Sequence, residues 1–175
     1  GYRGATVTAA LGYSFGQSRI DGLLRFRDDV AGLDDVPRDD PNYTGRDRNW
    51  TGFLRGATTL WDGRWTTTLR LSATEDRRSY VNQPDPWSGA TTDDRYRGRT
   101  VMLDWGNVMR LGQVGPLADT ALTFGASRQW EQSQSAAGSA FFRTKVDASQ
   151  RSDALHIGGQ ARLFDRLDIN LGLRN

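Results

Sequence analysis

Apolar side chains recur at every second position through eight long stretches of this chain. A β-strand turns successive side chains to opposite faces, so a sustained period of two predicts strands with one apolar and one polar side. Across 5–15 the odd positions are Ala5, Val7, Ala9, Leu11, Tyr13 and Phe15, while Thr6, Thr8, Ala10, Gly12 and Ser14 lie between them. Ile20, Gly22, Leu24 and Phe26 follow, opposite Arg19, Asp21, Leu23, Arg25 and Arg27. The same pattern marks 49–61 (Trp50, Leu54, Leu60), 64–74 (Trp65, Leu69, Leu71, Ala73) and 97–111 (Val101, Leu103, Trp105). It continues through 119–131 (Leu122, Phe124, Ala126), 152–163 (Leu155, Ile157, Ala161, Leu163) and 167–174 (Leu167, Ile169, Leu171, Leu173). Asp62-Gly63 is a two-residue hairpin signal.

Composition narrows the solvent question. The 175 residues include no Cys, which excludes a disulfide scaffold and a thiolate zinc site. Charge is carried by 22 Arg and 19 Asp against one Lys and two Glu, and 20 Gly accompany them. Exposed helices favour Glu and Lys, so this balance speaks against helices. A net charge of +2, with acidic and basic residues interleaved, gives no case for nucleic acid. The predicted connections alternate strictly, with short ones at 16–18, 62–63, 112–118 and 165–166 and long ones at 28–48, 77–96 and 132–151. In an up-and-down meander all long loops then emerge at one end, as in outer-membrane barrels.

Strands of ten or more residues match the roughly 9–11 needed to cross a bilayer at a tilt. Aromatic residues gather near strand ends (Tyr13, Phe15, Trp50, Trp61, Trp65, Trp130), where interfacial girdles sit. The expectation is an all-β, antiparallel up-and-down transmembrane barrel wall in the cell outer membrane. One segment spans 1–175, and its lipid-facing stripe looks outward. Parity sends Arg25, Arg55, Arg70, Arg162 and His156 to the lumen, with His156 near the outer end of its strand. Few bulky side chains line that polar face, which suggests an arc of a larger barrel. Two alternatives stand: a self-contained eight-stranded outer-membrane barrel that anchors or adheres, and a soluble barrel enclosing a small ligand.

The residues 154–164 followed by 165–174, ending in Gly172-Leu173-Arg174, resemble a down, turn and up hairpin of TonB-dependent outer-membrane receptors. Leu122-Thr123-Phe124-Gly125-Ala126 is similar to the preceding strand in that family. The stretches 43–49 and 60–65 resemble the cobalamin and siderophore branches. The resemblance implies a 22-stranded barrel around a plug domain that this chain lacks. It also implies import of a ferric siderophore, cobalamin or heme, powered through the TonB complex. Expected partners are therefore outer-membrane lipid, the plug, the remaining strands and the nutrient.

Three candidate sites follow. Tyr43, Tyr80, Trp87 and Tyr96, in or beside the long loops and flanked by Arg46, Arg77, Arg78 and Arg95, present rings and guanidinium groups to a flat or anionic ligand; loop packing is the plainer alternative. Asp29, Asp34, Asp35, Asp39 and Asp40 offer oxygens to calcium, against a solvated loop turned by Pro37 and Pro41. His156, the lone histidine, is an axial-ligand candidate for heme, against a hydrogen-bonding wall residue. One histidine and no serine-nucleophile motif leave no basis for an enzyme.

Overall fold

The computed structural model describes residues 1–34, 40–86, 89, 91–138, 142–164 and 166–175. It contains eight strands: β1 (Tyr2–Phe15), β2 (Ser18–Gly32), β3 (Thr44–Leu60), β4 (Trp65–Asn82), β5 (Thr92–Val114), β6 (Leu117–Gly138), β7 (Arg143–Leu163) and β8 (Leu167–Arg174). They form one antiparallel meander in chain order, so β1 and β8 are edges and do not pair with each other. The sheet is open and uncurled.

The turns obey local backbone chemistry. Asp62 and Gly63 are the central residues of a tight turn in which the Arg64 amide donates to the Trp61 carbonyl at 3.0 Å. Both have positive φ, 52° and 92°, the backbone that an Asp-Gly pair accepts at low cost. The connection expected at 112–118 is tighter than its composition suggests. Here β5 runs to Val114, and register irregularities at 110–114 and 118–121 absorb the extra residues.

The long connections are also much shorter than the apolar pattern predicts. They occupy 33–43, 83–91 and 139–142, because the strands continue well past their apolar stretches. Both faces become polar there, so alternation vanishes while the backbone ladder persists. Cross-strand Arg–Asp and Arg–Glu pairs replace apolar contacts along these extensions.

Register unites the eight apolar stripes on one face. One continuous row reads Gly22, Leu54, Leu71, Leu103, and the next reads Ile20, Gly56, Leu69, Trp105, Ala126, Leu155. Among the described residues no second layer covers this face: Leu11, Leu24 and Leu69 are 62%, 56% and 52% exposed. Among the described residues Ala121 is the one buried hydrophobic side chain. The stripe does not pack into a dry centre.

The upper border of the apolar band, toward the long connections, crosses the strands obliquely. The first charge on this face is Arg3 on β1, Asp28 on β2, Arg48 on β3, Glu75 on β4, Arg99 on β5, Arg128 on β6 and Asp153 on β7. Following the pairing from Arg3 through Val30, Arg46, Ser79, Arg95 and Ala136 leads to Lys145 on β7. Asp153 lies eight residues nearer the short turns than Lys145, so the border steps down eight residues over six strands. The turn-side border steps the same way, from Phe15 on β1 to Leu163 on β7.

The strand extensions make a direct prediction for amide exchange. In lipid or detergent, the amides of 77–81 and 93–97 exchange as slowly as those of 69–73. Exchange as fast as that of Gln83 would show that the ladder stops where the apolar pattern does.

Candidate functional site

The half of the sheet nearest the long connections holds most of the charge, and the two faces carry it differently. On the polar face the paired rows have nine cations and eight carboxylates, closely matched. One row reads Asp21, Arg55, Arg70, Asp104, in which a carboxylate stands on each side of a pair of arginines. Arg55 approaches Asp21 at 3.5 Å, and the Arg70 guanidinium stands 4.5 Å from the Phe53 ring centroid. Arg25 and Arg162 share this face, as parity predicts.

Tyr80 and Tyr96 meet on the polar face as an edge-to-face pair, with ring centroids 6.3 Å apart. With Asp76, Arg78, Gly98 and Ser133 they border a hollow of about 390 Å³. Tyr43 lies in the β2–β3 connection, half-buried, with its carbonyl accepting from the Leu33 amide at 2.9 Å. Trp87 lies outside the described residues. The arginines grouped with these rings by sequence are separated from them by the sheet. Arg46, Arg77 and Arg95 occupy the apolar-stripe face, and only Arg78 stays beside Tyr96. These residues lie in strand, not loop, so parity divides them.

The acidic residues are likewise dispersed. Asp29 belongs to β2 and is buried, accepting from the Tyr2 hydroxyl at 2.9 Å and from the Arg27 guanidinium. Asp40 is buried as well; it accepts from the Asn42 amide and from Asn82 Nδ2, both at 2.9 Å. Asp34 is exposed in the connection, while Asp35 and Asp39 lie outside the described residues. Among the described residues no group of three or more acidic or histidine side chains is placed to hold a metal.

His156 occupies the polar face, with its ring over Gly125 on β6. It sits seven residues from Leu163 and thirteen from Arg143, so it is nearer the short turns, not the outer end of its strand. The difference arises because β7 extends to Arg143, well beyond its apolar part. A Cβ at Gly125 would stand 2.2 Å from the Trp105 carbonyl oxygen and 2.5 Å from His156 Cε1. Glycine there lets strand and ring approach closely.

The apolar-stripe face carries a feature that the sequence reading missed. Its paired rows hold eleven cations and five carboxylates, all beyond or at the upper border of the apolar band. Four carboxylates each clasp two arginines. Asp28 holds Arg46 at 2.6 Å and Arg48 at 3.2 Å; Glu75 holds Arg97 at 3.0 Å as well as Arg77. Asp93 holds Arg95 at 2.8 Å and Arg143 at 3.0 Å, and Asp153 holds Arg128 together with Arg151 at 3.6 Å. Each such trio retains one positive charge. Spacing could have revealed this asymmetry had alternation been carried past the apolar stretches.

No family model matches the chain, and no curated protein matches it.

Gly125→Ala tests the close approach at His156. It costs about 1–3 kcal/mol in a detergent denaturation experiment, the usual range for overpacking. Adding His156→Ala removes the ring but not the Trp105 carbonyl, so stability recovers only in part; full recovery would make the ring the sole obstacle.

Proposed function

We propose that the chain is a segment of an outer-membrane β-barrel wall, and that the whole barrel is a TonB-dependent receptor importing a bulky nutrient. The observation that carries the membrane reading is the uncovered apolar band with oblique borders. Eight residues at about 3.3 Å each, over six strands about 4.8 Å apart, correspond to a tilt of roughly 40°. Barrels require strands to tilt by about 35–45°. A flat lipid layer crossing tilted strands leaves this diagonal mark in the pattern of side chains. Nine residues at that tilt cover roughly 20–25 Å, close to the apolar band of an outer-membrane barrel. The aromatic rings support the same orientation. Trp50, Phe26 and Trp130 lie along one border; Tyr13, Phe15, Trp61 and Trp65 lie along the other.

The unpaired edges favour a larger barrel over a closed eight-stranded one. Backbone groups left open in hydrocarbon cost several kcal/mol each, so β1 and β8 need neighbouring strands. The polar face then lines water, where matched arginines and carboxylates remain solvated and pair weakly. The importer reading rests on the sequence resemblance to TonB-dependent receptors, with Tyr80 and Tyr96 as the ring pair turned toward a siderophore, cobalamin or heme.

Two measurements test the two levels. Leu69→Arg, at mid-band on the apolar face, lowers insertion into lipid by about 2–4 kcal/mol. Thr68→Arg, one residue earlier on the polar face, inserts as the parent does. Equal behaviour of the two variants would overturn the membrane wall. In the organism that makes the protein, loss of its gene abolishes uptake of one of the three nutrient classes. Unchanged uptake of all three rejects the importer while leaving the wall intact.

A further inference from the structure

The positive excess of the apolar-stripe face lies against the border of the apolar band. There, rings and arginines adjoin. Trp130 and Val101 share a register row with Arg151, and Arg99 stands one row above Val101 on the same strand. Arg99, Val101, Trp130, Ser149 and Arg151 line a recess of about 870 Å³, which one carboxylate, Glu131, also borders. A second recess of about 270 Å³ places Phe26 and Trp50 beneath Arg48 and Arg77, with Asp28 and Glu75 beside them. The first recess is apolar toward the band and carries a positive excess away from it, whereas in the second two carboxylates balance the two arginines.

The charge there is not internally neutralised. Arg48, Arg77 and Arg151 each share a carboxylate with a second arginine. Arg3 and Arg99 have no ion-pair partner among the described residues. Arginine presents a planar fork suited to phosphate oxygens, and the shared carboxylates hold several of these forks in place before any ligand arrives. A ligand with a phosphate above and hydrocarbon below fits both halves of the recess of Arg99, Arg151 and Trp130.

We propose that the oblique line of arginines from Arg3 to Arg151 binds phosphate groups of anionic lipid headgroups in the leaflet on the long-connection side, with the recess of Arg99, Arg151 and Trp130 as one defined site. This rests on the membrane-wall reading. Phosphates near the membrane surface draw each cation with a strength that converts to roughly fivefold in local concentration. The face therefore selects phosphorylated lipid over neutral lipid and fixes the depth at which the wall sits.

The test uses the full chain in phosphatidylcholine vesicles containing a minor share of diphosphorylated lipid A. The bromine is placed on the acyl chains of either the neutral or the phosphorylated component. Quenching of tryptophan fluorescence by brominated phosphatidylcholine reports insertion; quenching by brominated lipid A reports enrichment at the wall. The expected result is enrichment of lipid A by about fivefold over its mole fraction, weakened by salt. Arg99→Gln with Arg151→Gln brings it near the mole fraction without changing insertion. Arg95→Gln with Lys145→Gln, farther from the border, changes it little. Lipid A lacking its phosphates shows no enrichment. Quenching by phosphatidylcholine with lipid A at its mole fraction overturns the inference but keeps the membrane wall. Absence of quenching by any lipid overturns both. Loss of enrichment in millimolar inorganic phosphate assigns the site to a free anion and overturns the lipid assignment.

Discussion

The antiparallel ladder is the constraint on which everything else in this molecule depends. Eight strands pair only with their chain neighbours, and that register brings eight separate apolar stripes to one face. Among the described residues there is no opposing layer, so tertiary contact consists almost wholly of adjacent-strand pairing. Sheets in water usually bury their apolar face against a helix or another sheet. Here Val7, Leu11, Leu155 and Leu171 remain more than half exposed, and the proposed lipid contact supplies the missing cover.

The same ladder separates two uses of arginine. On the polar face nine cations are matched by eight carboxylates across the paired rows, which leaves almost no net charge and suits a hydrated surface. On the apolar-stripe face two arginines share one carboxylate, so positive charge accumulates at the border of the band. A chain with a net charge of only +2 thus carries a strongly cationic strip. Net charge alone conceals it because neutral and basic regions occupy opposite sides of one sheet.

The strand extensions explain where sequence reasoning succeeded and where it stopped. Alternation identified all eight strands, their faces and the Asp62-Gly63 turn, because in those stretches one face is apolar and the other polar. Beyond Phe26, before Trp50, and through 75–82 and 92–99, both faces are polar and the alternating signal disappears. These segments resemble loops in hydropathy, yet remain strands because cross-strand ion pairs sustain the ladder. Tyr80, Tyr96, Asp29 and Arg46 resemble loop or near-loop groups in sequence for this reason. Once they are placed in strand, parity puts Arg46 on the face away from Tyr80 and Tyr96.

The amino-acid sequence by itself determined the class of strand and the identity of each apolar stripe, since these depend on neighbours one or two residues apart. Tertiary structure decided what spans strands: the shared face of the eight stripes, the open edges at β1 and β8, and the doubly clasped carboxylates. It also decided the oblique border, eight residues lower on β7 than its pairing with β1 would give. A single strand contains no measure of its offset from the next. That offset exists only when hydrogen bonds fix which residues stand opposite each other.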